Sequence, residues 1–92
     1  MEATASPALK DQIQDALALA DAAASVRAAA TALRERYAGM RIVVVDAFDM
    51  RAETPAAVGE KVMLWYGASD GHCWQVTADP AQAVGLFIAA KE

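Results

Sequence analysis

The chain has 92 residues, 57% of them hydrophobic, and a formal net charge of −4. That length sets one domain, and no apolar run reaches the roughly 18 residues a membrane-spanning helix needs. The acidic balance argues against nucleic acid as a partner, and the hydrophobic share with 22% charged residues argues against disorder.

The hydrophobic share overstates the core. It includes 24 alanines, which bury little area, so less than a third of the chain is large and apolar. A second subunit supplying the missing burial is therefore expected. Met1-Glu2-Ala3-Thr4 has no basic n-region and no apolar h-region follows, so no signal peptide is expected. One cysteine, Cys73, allows no internal disulfide, which fits a reducing, cytoplasmic setting.

In chain order, residues 1–5 read as a tail, and residues 6–92 as a single domain. Ser6-Pro7 has the N-cap and N1 chemistry of a helix start. Helix-forming, alanine-rich sequence then runs to a stop at Gly39. Within it Leu9, Ile13 and Leu17 form one apolar stripe, and Leu19, Val26, Leu33 and Tyr37 another. The stripes lie well apart around a straight helix. A helical hairpin over 7–19 and 22–38 resolves the conflict, with Asp21 able to cap the second helix. An unbroken helix with its first half in a dimer contact is the alternative. Either arrangement uses the alanines for close backbone approach.

Arg41–Phe48 is β-branched and apolar and reads as a strand over 41–48. Residues 49–60 read as a loop, with a capped helical turn at Thr54-Pro55-Ala56-Ala57-Val58-Gly59. Strands follow over 61–69 and 72–78, joined by Asp70-Gly71, a type I′ hairpin signal. A two-residue loop there sets Trp74 opposite Gly67, Val76 opposite Trp65 and Ala78 opposite Met63. That face carries both tryptophans, with Gly67 making room for the Trp74 indole, and is expected to be the main core face. The face with Leu64, Tyr66, Ala68, Cys73, Gln75 and Thr77 is mixed and expected to be partly covered. Asp79-Pro80-Ala81-Gln82 is a capping box and predicts a helix over 80–90. Gly85 leaves open a short helical turn followed by a strand at 86–90. The order α-α-β-β-β-α defines an α+β domain: a three-stranded antiparallel sheet with helices packed mainly on one face.

Few residues offer chemistry. His72 and Cys73 are the only histidine and the only cysteine, and they are adjacent. Neighbours in a strand point to opposite faces, so the pair is poorly placed to grip one metal ion or one substrate atom. Asp46, Asp49, Glu53 and Glu60 lack the spacing of a calcium loop. Asp46 follows an apolar strand, where burial would raise its pKa. All five arginines fall between positions 27 and 51, without a glycine-rich phosphate loop. Trp65, Trp74 and Tyr66 read first as hairpin stabilisers, and Tyr66, beside Cys73 and Gln75 on the mixed face, is the aromatic most exposed to a partner.

Gly71-His72-Cys73, Thr77-Ala78-Asp79 and Ala83-Val84-Gly85-Leu86 resemble the C-terminal signature of a family of small uncharacterised bacterial proteins often encoded near nitrogen-fixation genes. Leu33-Arg34 through Gly39, running into a strand, resembles its middle, and the similarity spans about residues 22–90. The chain departs from the pattern at its longer acidic loop. The resemblance implies a fold and a genomic setting, and no activity or site residue.

No nucleophile, base and orienting group stand at a workable spacing. The first reading is therefore a small non-enzymatic binding or regulatory module, homodimeric through the N-terminal helical segment or the mixed sheet face. It would take a ligand or a protein partner at Tyr66, His72, Cys73, Gln75 and Asp46, with no cofactor and no metal. The second reading is a redox-sensitive or catalytic protein centred on Cys73 with His72.

Overall fold

The computed structural model describes residues 9–69 and 73–91. The N-terminal tail, the Ser6-Pro7 cap, Asp70-Gly71 and His72 lie outside them. Two helices, α1 (Leu9–Asp21) and α2 (Val26–Arg36), precede strands β1 (Arg41–Val44), β2 (Ala57–Val58), β3 (Val62–Ser69), β4 (Trp74–Thr77) and β5 (Gly85–Ala90). The class is α+β, and the sheet is a mixed sheet of five strands instead of three antiparallel ones.

The chain breaks after Asp21, as two misaligned stripes require. Ser25, not Asp21, caps the second helix: its hydroxyl accepts the Ala28 N–H at 3.0 Å. The reversal turns Ile13 and Leu17 of one stripe, and Leu19, Val26, Leu33 and Tyr37 of the other, toward one core. Ala16, Ala20, Ala29 and Ala30 are essentially inaccessible. Small side chains there let the helices of the hairpin approach closely. After α2 the chain turns through Gly39, whose φ of +95° lies where only glycine is unstrained.

Strand β3 organises the sheet. It pairs with β5 along one edge, antiparallel from Val62↔Ala90 to Gly67↔Gly85. Its other edge carries β2 near its start, at Leu64↔Ala57, and β4 near its end, at Tyr66↔Thr77. β1 lies parallel on the outer edge of β5, from Arg41↔Gly85 to Val44↔Ile88.

Four expectations give way here. The capping box yields only a single 3-10 turn at Pro80–Gln82, in which Asp79 accepts the Ala81 N–H at 3.0 Å. The chain then becomes β5, not a helix over 80–90. Leu86-Phe87-Ile88 is apolar on both faces, which suits a strand with a neighbour on each side as well as it suits a buried helix. The strand over 41–48 stops at Val44, because Asp46–Glu53 folds into consecutive tight turns, with Asp49 N–H bonded to Asp46 C=O at 3.0 Å and Glu53 N–H to Met50 C=O at 2.9 Å. The helical turn at 54–59 is absent, because the Ala56 and Gly59 N–H groups bond to the carbonyls of Leu64 and Val62 in β3. Finally, the last β3–β4 pair is Ser69↔Trp74. The pairing is not that of a two-residue loop, and Val76, not Trp74, sits opposite Gly67.

That slip is by two residues, so each side chain keeps its face. The helices, however, cover the face expected to be mixed. Ile42, Val62, Leu64, Tyr66, Leu86 and Ile88 form the core with α1 and α2. The tryptophan face is the thinner one. Trp65, Phe87 and Ala89 are buried there under partly exposed Val43, Val45, Met63, Trp74 and Val76, with Ala47 and Met50 of the 46–53 turns packed against them. β5 accounts for the exchange: it adds Leu86 and Ile88 to one face of β3 and Phe87 to the other.

Candidate functional site

The two short strands on one edge of β3 leave a gap. The chain entering β2 and the chain leaving β4 diverge there, and Tyr66 lies in β3 between them. A cleft of about 250 Å³ results, lined by Thr54, Pro55, Ala56, Tyr66, Thr77 and Ala78. Local chemistry places each wall. Pro55 has no N–H to give to the ladder, and pairing begins at Ala56, whose N–H reaches Leu64 C=O at 2.7 Å. On the other wall, Thr77 Oγ1 accepts the Asp79 N–H at 3.1 Å, which turns the chain out of β4.

Tyr66 is 7% exposed, and burial pushes its phenol above the ordinary tyrosine value. It stays a neutral hydroxyl at physiological pH. Among the described residues nothing hydrogen-bonds that hydroxyl. The lining carries no charged side chain.

The other residues singled out from the sequence do not gather at this cleft. Gln75 is exposed on β4, opposite Ala68, two pairs nearer the turn than Thr77. Cys73 is exposed just before β4. Asp46 lies past the end of β1, two strands away from Tyr66 and level with the opposite end of β3. It is exposed, and its Oδ1 accepts the Phe48 N–H at 2.9 Å, an Asx turn that starts the 46–53 segment. The arginines have structural work. Arg34 donates to Ile42 C=O at 2.9 Å, Arg41 lies 5.2 Å from the Trp74 ring centroid, and Arg51 lies 4.0 Å from that of Phe48. Among the described residues no group of three or more histidine, cysteine, aspartate or glutamate side chains is placed to hold a metal ion. Nor is any helix among them long and apolar enough to cross a membrane.

Sequence reasoning reached Tyr66 but missed Thr54 and Thr77. The observed register would have placed Thr77 beside Tyr66. Nothing in the sequence marks Thr54-Pro55 as the entry to a strand two residues long.

A two-helix layer on a mixed sheet, with a small uncharged cleft between β2 and β4, describes an α+β domain. Its sequence from residue 15 to residue 91 matches the model of a family of unknown function, DUF6129, and the chain belongs to that family. No curated protein and no solved structure matches it.

Proposed function

We propose that this protein is a small, non-enzymatic binding module that works as a homodimer, joined through the tryptophan face of its sheet. The supporting observation is the unequal cover of the two faces. α1 and α2 close one; turns 46–53 only partly close the other, leaving Val43, Val45, Met63, Trp74 and Val76 at its surface. These side chains are apolar, and the cation beside them, Arg41, is stacked on the Trp74 ring, 5.2 Å from its centroid. The same face of a second copy matches it in character and, about a two-fold axis, in position. The helices already cover the mixed face, so this contact replaces the one expected there. The resemblance to proteins encoded near nitrogen-fixation genes bears only on genomic setting, and we keep it as a proposal to be checked against the neighbouring genes.

Sedimentation equilibrium from micromolar to millimolar protein tests the reading. A mass of twice 9.7 kDa is expected for the native chain. Val43→Glu and Val76→Glu, at opposite edges of the face, should each be monomeric with unchanged far-UV circular dichroism, since both side chains are only partly buried in the monomer. A native chain that is monomeric throughout, or variants that remain dimeric, would overturn the assignment.

A further inference from the structure

We infer that the cleft between β2 and β4 is a binding site for a small, uncharged, single-ring molecule whose carbonyl oxygen accepts a hydrogen bond from Tyr66. The claim goes beyond dimerisation and concerns the opposite face of the sheet. Three observations meet at the site.

The first is an unsatisfied donor. A hydroxyl without a protein partner at an open cleft is left to solvent or to a ligand. Tyr66 is nine-tenths buried, lines the cleft, and has no hydrogen bond to its hydroxyl among the described residues. The raised phenol agrees, since its only cause is burial with no offsetting hydrogen bond. A neutral phenol donates well, and an acceptor placed in the cleft would satisfy it.

The second is charge. Thr54, Pro55, Ala56, Thr77 and Ala78 complete the lining, and none is ionisable. Entry of a charged ligand would strip its hydration with no counter-charge to replace it. Thr54 and Thr77 supply further hydroxyls, while Pro55, Ala56 and Ala78 supply apolar contact for a ring. That mixture, mostly apolar with a few placed polar groups, is what small-molecule sites have.

The third is size. A cavity of roughly 150 Å³ holds benzene. At about 250 Å³ this cleft takes one ring with a substituent of a few atoms. A nucleotide or a drug-sized ligand would extend beyond it.

Benzamide is the probe, with benzoate, benzylamine and toluene as its charged and acceptor-free analogues. Titrations of the full chain are followed by ¹H–¹⁵N spectra. Benzamide is expected to bind saturably at millimolar concentration, with the largest shifts at Thr54, Ala56, Tyr66, Thr77 and Ala78. Benzoate, benzylamine and toluene should each bind more weakly. Tyr66→Phe should weaken benzamide about three- to tenfold, the usual worth of one neutral hydrogen bond, and leave toluene unchanged. Because the hydroxyl has no protein partner, the same variant should melt no lower than the native chain in the absence of ligand. Four results would overturn the inference: no saturable benzamide shift, shifts centred elsewhere, equal or tighter binding of either ion, or benzamide affinity untouched by Tyr66→Phe.

Discussion

Asp21 ties the end of α1 to the chain entering β3. It ends α1, where a carboxylate meets the negative end of the helix dipole. It is held there by three backbone donors across the chain: Glu60 N–H at 2.7 Å, Lys61 N–H at 2.8 Å and Val62 N–H at 3.2 Å. The hydrogen bonds from Glu60 and Lys61 lead in holding its carboxyl below the ordinary aspartate value. A depressed folded-state pKa contributes stability that is present above the unfolded value and is lost as pH falls through the folded one. Asp21→Asn replaces one acceptor oxygen by a donor and should lower the melting temperature at neutral pH. The gap between native and variant should close as pH falls through and below the ordinary aspartate range. A gap independent of pH in thermal melts would sink this reading. Gly59 supplies an independent check. A Cβ there would stand 2.5 Å from Asp21 Oδ2, so Gly59→Ala should displace the carboxylate and flatten the same pH dependence.

At the scale of elements, close contacts between strands and rings set the strictest requirements. Gly67 is buried in β3, and a Cβ on it would lie 3.0 Å from Trp74 Cζ3 and 3.1 Å from Phe87 Cε2. Those two rings meet edge to face, 6.0 Å between centroids, and cannot both retreat without opening the thin side of the sheet. Gly67→Ala should therefore destabilise the protein by about 1–3 kcal/mol, the usual range for overpacking. Urea unfolding measures it, and a stability equal to the native chain's would show that the rings are free to move. The need for space at Gly67 was legible from the sequence even though its cross-strand partner was not. The same holds more widely. Breaks and face alternation are local, so the helical hairpin, β3 and the faces of the β3 and β4 residues followed from residues 9–69 and 74–77. What decides Leu86-Phe87-Ile88 is not local: a capping box argues for helix, and two open strand edges far away in the chain argue for β. β2 is set entirely by its partner, since Ala57-Val58 gives no strand signal of its own. The cleft depends on both β2 and the β4 register, and so Tyr66 was legible but the walls around it were not.

For the whole molecule, the consequence is that the last strand completes the first. β1 has no neighbour but β5 among the described residues, and β5 stands between it and β3. The helices pack on Ile42, Leu64, Leu86 and Ile88 together, so their platform also exists only once residues 85–90 are in place. A fold closed by pairing segments more than forty residues apart should gain its stability late and as a unit. Local opening is expected at the periphery, where β2, β4 and β1 each lie on an edge, and not at the centre. Native-state hydrogen exchange should find the slowest amides in β3 and β5, exchanging only by global unfolding. Edge amides of β1 and β4 should exchange through smaller openings. Ile88→Ala, at a position with no exposure, should cost about 2–5 kcal/mol and lower the protection of β3 and α2 amides by the same amount. If α1 and α2 kept their protection while β5 lost its own, the helical hairpin would be a separate cooperative unit, and closure by the last strand would not be what holds the molecule together.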